Sequence, residues 1–206
     1  MRRRRYELTA RFYDLVSLER PVYRVGREAG IAALGLRTGD RVLDVGCGTG
    51  LNLPLLRAAV GPSGAVVGLD ASSAMLRQAH VRIRRHRWTN VTTVLGDAAE
   101  TPPTIGEPFD ALLFTYTLSV MDRWRQAWSR SLALVRPGGR IAVVDLGLPT
   151  GRWRLLAPLA WLACQAGGAD PYRRPWQALT RTTADGSHEV FRAGHVHVAA
   201  GSSPCG

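Results

Sequence analysis

The chain has 206 residues, 46% of them hydrophobic, which suits one sizeable core better than two. Its formal net charge of +11 contains no lysine, so arginine carries all of it, and the negative counterpart to look for is nucleic acid, an anionic membrane or an acidic substrate. No run of about 18 apolar residues occurs and the leading MRRRR is not followed by an apolar signal core, while Cys47, Cys164 and Cys205 are too few and too scattered for a disulfide framework or a structural zinc site; a cytoplasmic protein with free thiols is expected.

Residues 6–35 read as helical. Tyr6, Leu8, Phe12, Tyr13, Leu15 and Val16 recur at three- and four-residue steps, and Pro21 restarts a second helix through Val25 and Ile31 to Leu36. From Arg41 onward the pattern becomes short apolar runs: VLDV, AVVGLD at 65–70, VTTVLGD at 91–97, FDALLFT at 109–115 and RIAVVDLG at 140–147. Helical stretches at about 52–59, 72–85 and 122–135 lie between them. Nearly continuous apolar strands alternating with helices predict an α/β fold, a doubly wound and mostly parallel sheet covered on both faces. Residues 152–166 form an apolar segment, interrupted by Pro158, of a kind that covers a core or a site. Residues 167–187 are rich in turn formers and read as loop. The terminal HEVFRAGHVHVAAG predicts two strands joined through Ala193 and Gly194, a hairpin that adds an antiparallel strand to the sheet.

The first strand runs straight into Gly46-Cys47-Gly48-Thr49-Gly50, which brings bare backbone N–H groups to the carboxyl edge of the sheet, where open α/β folds bind ligands. The spacing is G-x-G-x-G rather than the G-x-G-x-x-G of dinucleotide sites, and Asp44 precedes it. A carboxylate there repels a pyrophosphate and suits an ammonium or a hydroxyl donor. Asp70 ends the second strand, where it is placed to accept both ribose hydroxyls of a nucleoside, and Asp97 ends the third, within reach of an adenine amino group.

DVGCGTG, GLD at 68–70, GDA at 96–98, FDALLFTYTLSVM and LVRPGGRIAVVD together resemble the ordered motifs of class I S-adenosylmethionine-dependent methyltransferases over about residues 38–147. The resemblance implies S-adenosylmethionine as cofactor, with Asp44, Gly46, Cys47, Gly48 and Gly50 under its methionine part, Asp70, Ala71 and Met75 around ribose and adenine, Asp97 and Ala98 at the base, and Thr115 and Tyr116 facing the sulfonium. It also divides the chain into an N-terminal helical cap with a basic segment, 1–37, and the cofactor-binding part of the same globular unit, 38–206. Plainer readings stand beside these roles: Asp97 as a turn cap, Cys47 as a small loop residue with no base beside it, Met75 and Tyr116 as core. His195 and His197 alternate along a strand without a carboxylate near them in sequence, and no metal is expected.

The acceptor has to be read outside these motifs. TARFYDLVSLERPVYR is similar to the leading segment of phospholipid N-methyltransferases and quinone C-methyltransferases, which implies a helix closing over the cofactor with Tyr13 touching it. Five arginines within the first eleven residues, beside Leu8, Phe12 and Leu15, suit contact with an anionic membrane. A small-molecule or lipid acceptor is therefore expected, with a phosphatidylethanolamine-like amine first and a quinone ring second. Tyr116 is the candidate catalytic residue. Transfer of the aminocarboxypropyl arm to a lipid uses the same motifs, and a membrane-docked cofactor-binding module without turnover is the non-enzymatic alternative. Nucleic acid is disfavoured because the arginines lack aromatic interleaving or an RNA-binding module.

Overall fold

The computed structural model describes residues 23–100, 106, 108–183 and 185–204. In chain order these form α1 (Arg24–Ala33), β1 (Arg41–Val45), α2 (Leu53–Val60), β2 (Ala65–Asp70), α3 (Ser73–His86), β3 (Val91–Leu95), β4 (Phe109–Thr115), α4 (Trp124–Leu132) and β5 (Val135–Leu146). A 3-10 helix (Gly151–Leu156), α5 (Ala157–Gly167), α6 (Trp176–Thr182), β6 (Ser187–Phe191) and β7 (Val196–Ser202) follow. The first predicted helix, with Tyr13, lies outside the described residues.

The strands make one seven-stranded sheet in the order β3-β2-β1-β4-β5-β7-β6. β1 to β5 run parallel, and β7 is antiparallel to both of its neighbours. The expected doubly wound sheet with a terminal hairpin is thus the observed one. Alternate strand residues fill two cores. Leu43, Val67, Leu112 and Ile141 meet Trp128, Trp176 and Leu179 on one face. Val42, Val66, Leu113 and Ala142 meet Ile31, Leu53, Leu56 and Ala79 on the other. Because the apolar runs are buried on both faces, their sequence shows almost no alternation.

Several local rules set the ends of these elements. Ser72 caps α3, its Oγ accepting from Met75 N at 3.3 Å, and Arg84, Arg85 and His86 lie in the last turn, where the helix dipole favours cations. α1 turns Gly26, Arg27, Gly30 and Ile31 inward, and a side chain at either glycine would meet Val144 of β5. The two glycines therefore let α1 lie close over β5 and β7.

Three expectations change. β5 begins at Val135, not 140, because its pairing with β4 jumps from Phe109–Val135 to Ala111–Arg140 and leaves Pro137 to Gly139 bulged out. Residues 167–187 contain α6, started at Pro175, whose Trp176 and Leu179 are buried three apart on one helix face. Residues 152–166 cover little of the core: Cys164, which packs with Val144, Leu146 and Val196, is the one residue of α5 that is buried, and most of the segment faces outward.

Candidate functional site

The carboxyl ends of β1, β2, β4 and β5 converge on the glycine loop. Gly46 has φ +70° and donates its N–H to Leu69 O at 2.7 Å, which turns the chain sharply out of β1. A Cβ on Gly46 would lie 2.6 Å from Thr117 Cγ2, whereas one on Gly48, also at positive φ, would meet nothing within 4 Å. The loop is therefore packed from below at Gly46 and open above Gly48.

Asp70 holds the open part of this loop. Its Oδ2 accepts from Gly48 N at 2.9 Å and its Oδ1 from Ser72 N at 2.8 Å. Burial raises its pKa, against the pull of those two N–H donors. Cys47 places its sulfur where Gly68 of β2 has no side chain, and burial, then Asp44 and Asp70, push its thiol well above the ordinary range. It is a packed loop residue and no nucleophile.

Asp44 is fully buried. Asn52 donates its Nδ2 to Asp44 Oδ1 at 2.8 Å and to Thr115 Oγ1 at 3.3 Å, and Arg27 Nη1 of α1 donates to Asn52 Oδ1. Asp44 Oδ2 has no hydrogen-bond partner. Burial lifts the Asp44 pKa from an ordinary 3.8 to about 7, with Asn52 and Arg27 opposing the rise and Asp70 adding to it. A buried carboxylate oxygen left unpaired beside an open glycine loop fits a ligand that brings a cation or a donor. That is the chemistry of the methionine ammonium in the cofactor the sequence implies, so the residues present fit it.

The remaining expected residues are spread around this centre. Ala71 lies between Asp70 and the Ser72 cap, and Met75 is buried in the first turn of α3. Asp97 Oδ1 accepts from Ala99 N at 2.9 Å, and its other oxygen meets Arg123 at 3.3 Å; Ala98 is buried next to it. Asp97 thus makes the turn cap that was its plainer reading. Thr115 joins the Asn52 network. Tyr116 follows at φ +57°, its hydroxyl donating to Tyr23 O at 2.7 Å and its ring 5.0 Å from that of Tyr23. A bulky residue at positive φ is strained and marks a position held by its surroundings.

Sequence reading missed Arg27, Asn52, Thr117 and Asp145. Asn52 stands where a helix cap is expected, yet makes no side-chain cap and turns to Asp44 instead. Arg27 was readable only through its place between Gly26 and Gly30 on the inward face of α1. Asp145 is fully buried near the end of β5 and accepts from Ser119 Oγ at 2.5 Å, Ser119 N at 2.9 Å and Leu146 N at 2.8 Å, which ties the loop after β4 to β5. Burial raises its pKa to about 6 in spite of those bonds.

The two histidines point to separate partners. His195 Nδ1 bonds Gly147 O at 2.7 Å; a carbonyl only accepts, so Nδ1 is the donor and Nε2 is not used in this bond. His197 stacks on Trp176 at 3.8 Å and bonds His188 at 3.0 Å, and burial lowers its pKa to about 4. Among the described residues no group of three or more His, Cys, Asp or Glu is placed to hold a metal ion.

A family profile described as "Methyltransferase domain" matches residues 42–139. The demethylmenaquinone methyltransferase of Symbiobacterium thermophilum is 31% identical over 184 residues, 81% of this chain and 72% of that protein. The 2-phytyl-1,4-beta-naphthoquinone methyltransferase of Arabidopsis thaliana chloroplasts is 35% identical over 136 residues, 64% of this chain and 51% of the plant protein. The chain spans about half the length of that relative and of several others. Among solved structures, phosphoethanolamine N-methyltransferase 2 of Haemonchus contortus with bound S-adenosyl-L-methionine superposes with a TM-score of 0.67 at 17% identity, over 86% of this chain and 52% of that one, a likeness of fold.

Proposed function

The chain belongs to the class I S-adenosylmethionine-dependent methyltransferases, and from that premise we propose that it methylates a ring carbon of a reduced quinone. The observation that carries the acceptor is the demethylmenaquinone methyltransferase of Symbiobacterium thermophilum, 31% identical along 72% of its length. The naphthoquinone enzyme of Arabidopsis thaliana supports the same class. The phosphatidylethanolamine-like amine that the sequence alone puts first rests on the leading segment and its arginines, features shared with the quinone reading, and these relatives favour the quinone ring, which we put in its place.

Bound S-adenosylmethionine supplies a methyl group on a sulfonium, which an electron-rich quinol ring carbon takes up while losing its own proton. The chain's part is to bind, align and exclude water, because an in-line displacement depends mainly on the placement of its reactants. Asp44 Oδ2 takes the cofactor's ammonium, and Arg27 and Asn52 hold that carboxylate in place. Asp70 takes the ribose hydroxyls and keeps Gly48 N fixed. Met75, Asp97 and Ala98 border the base, and Ala71 and Thr115 complete the wall.

Tyr23, Tyr116 and His195 form the acceptor side. The Tyr23 ring lies 5.0 Å from Tyr116 and 6.4 Å from His195, centre to centre, an aromatic wall suited to a flat ring. The Tyr116 hydroxyl is committed to Tyr23 O, so Tyr116 positions α1 over the chamber and is not the proton acceptor. His195 Nε2, which the Gly147 bond leaves unengaged, is the group we assign to receive the quinol proton.

The test is incubation of the full chain with methyl-labelled S-adenosylmethionine and a reduced prenyl naphthoquinone lacking the ring methyl, against phosphatidylethanolamine in a parallel reaction. Label on a ring carbon, located by mass spectrometry, is the expected result. Label on the amine instead overturns the quinone assignment, and arm-labelled cofactor appearing in lipid overturns methyl transfer itself.

A further inference from the structure

The segment after β5 is the most apolar exposed surface of the described chain. Leu155 is 89% exposed, Leu159 68% and Leu162 59%, and Trp153, Leu156 and Trp161 are exposed beside them. Soluble surfaces seldom keep this many large apolar side chains contiguous without a use for them. The 3-10 helix and α5 gain little from the protein body, which they meet mainly through Cys164. No described helix is long and apolar enough to cross a membrane, and eleven residues of α5 reach only about 16 Å.

Charge identifies the occupant. From Leu146 to Ala169 the sequence has no acidic residue, and the exposed Arg152 and Arg154 sit at the start of the apolar run, with exposed Tyr172 and Arg174 just beyond its end. The Arg152 guanidinium lies 5.1 Å over the Trp153 ring. Exposed leucines and Trp161 with Trp153, Arg152 and Arg154 at one margin and no acidic residue among them suit a surface that meets the interface of an anionic bilayer.

We propose that the 3-10 helix and α5 dock this protein on an anionic lipid bilayer, the leucines entering the acyl boundary and Arg152 and Arg154 meeting the headgroups. Cys164 roots α5 in the cluster of Val144, Leu146, Ala169, Val196 and Val198, and Tyr23 and Tyr116 pack against that same cluster. The docking segment and the tyrosines assigned to the acceptor side therefore pack on one cluster. The surface argument is independent of the quinone assignment and holds for any lipophilic acceptor.

Flotation of the full chain with vesicles of mixed phosphatidylglycerol and phosphatidylcholine tests it, with phosphatidylcholine alone as reference. The wild type floats with the anionic vesicles, and Leu155→Glu/Leu159→Glu/Leu162→Glu weakens binding by roughly a hundredfold or more, with S-adenosylmethionine affinity unchanged as the measure of an intact fold. Arg152→Gln/Arg154→Gln weakens it by roughly tenfold at low salt. Bromine-labelled acyl chains quench tryptophan fluorescence in the wild type and less in Trp153→Phe/Trp161→Phe, a readout that leaves the leucines in place. The proposal is overturned if the leucine variant floats like the wild type while deletion of residues 1–5 abolishes binding, since the N-terminal arginines are then the anchor. It is overturned equally if the wild type ignores the vesicles, whether the leucine variant splits a dimer or removal of residues 1–22 uncovers the face.

Discussion

Gly46→Val abolishes measurable S-adenosylmethionine binding and lowers the melting temperature. At φ +70° a residue with a side chain is strained by about 1–2 kcal/mol. The new Cβ would also stand 2.6 Å from Thr117 Cγ2 and 2.8 Å from Thr117 Cβ. Thr117 has little freedom to retreat, because it is buried and its Oγ1 donates to Val45 O at 3.3 Å. Overpacking of this kind adds about 1–3 kcal/mol. The chain can relieve it only by moving the loop away from Leu69 O, which displaces Gly48 N and the Asp70 bond with it. Calorimetry and thermal melting together read the outcome. A valine variant that binds the cofactor with native affinity would show that the loop is a connection and not the floor of the site.

Asp70→Ala raises the dissociation constant for S-adenosylmethionine by roughly 10- to 150-fold, the equivalent of about 1.5–3 kcal/mol for lost charge-assisted hydrogen bonds. Two effects combine. In the proposed binding mode the ribose hydroxyls lose their acceptor, and Gly48 N and Ser72 N lose the carboxylate that now fixes them. Ser72 keeps its cap on α3 through Oγ, so the helix persists and the loss concentrates in affinity. Asp70→Asn retains one acceptor oxygen and falls between the two. Equal calorimetric affinity in wild type and alanine variant removes Asp70 from the site.

The sheet and the glycine loop at its carboxyl edge were legible because both are written locally. Five apolar runs separated by amphipathic stretches specify a parallel sheet, and the glycine loop with Asp44, Asp70 and Asp97 at or near the ends of three strands points to the edge proposed to bind the cofactor. What sequence could not give depends on contacts far apart in the chain. Asn52 looks like a cap and becomes a ligand of Asp44 only when β1 and the start of α2 are brought together, and Arg27 reaches it from α1, 25 residues earlier. Asp145 and Ser119 meet across 26 residues. The helix α6 was hidden by the prolines around it, since turn chemistry outweighed two buried residues spaced three apart. The apolar segment 152–166, read as a cover, meets a core only through Cys164, because composition reports hydrophobic surface without reporting what lies against it.

Asp44, buried with Oδ2 unpaired, is the carboxylate proposed to meet the cofactor's cationic end. Its folded pKa of about 7 stands above the ordinary 3.8, so between those values the native state holds more protons than the unfolded chain. The resulting stability is present in acid and is lost as pH rises through about 7. A cation that pairs with the ionised carboxylate reverses that loss, and binding strengthens as Asp44 ionises. The deciding measurement is calorimetric titration of S-adenosylmethionine into wild type and Asp44→Asn between about pH 5 and pH 7, where an α-amino group stays mostly protonated. Wild-type affinity is predicted to rise by roughly tenfold or more across that window, with the asparagine variant weaker and nearly flat. A flat wild-type profile, or an asparagine variant that binds as tightly, would contradict the assignment of Asp44 to the cofactor's cationic end.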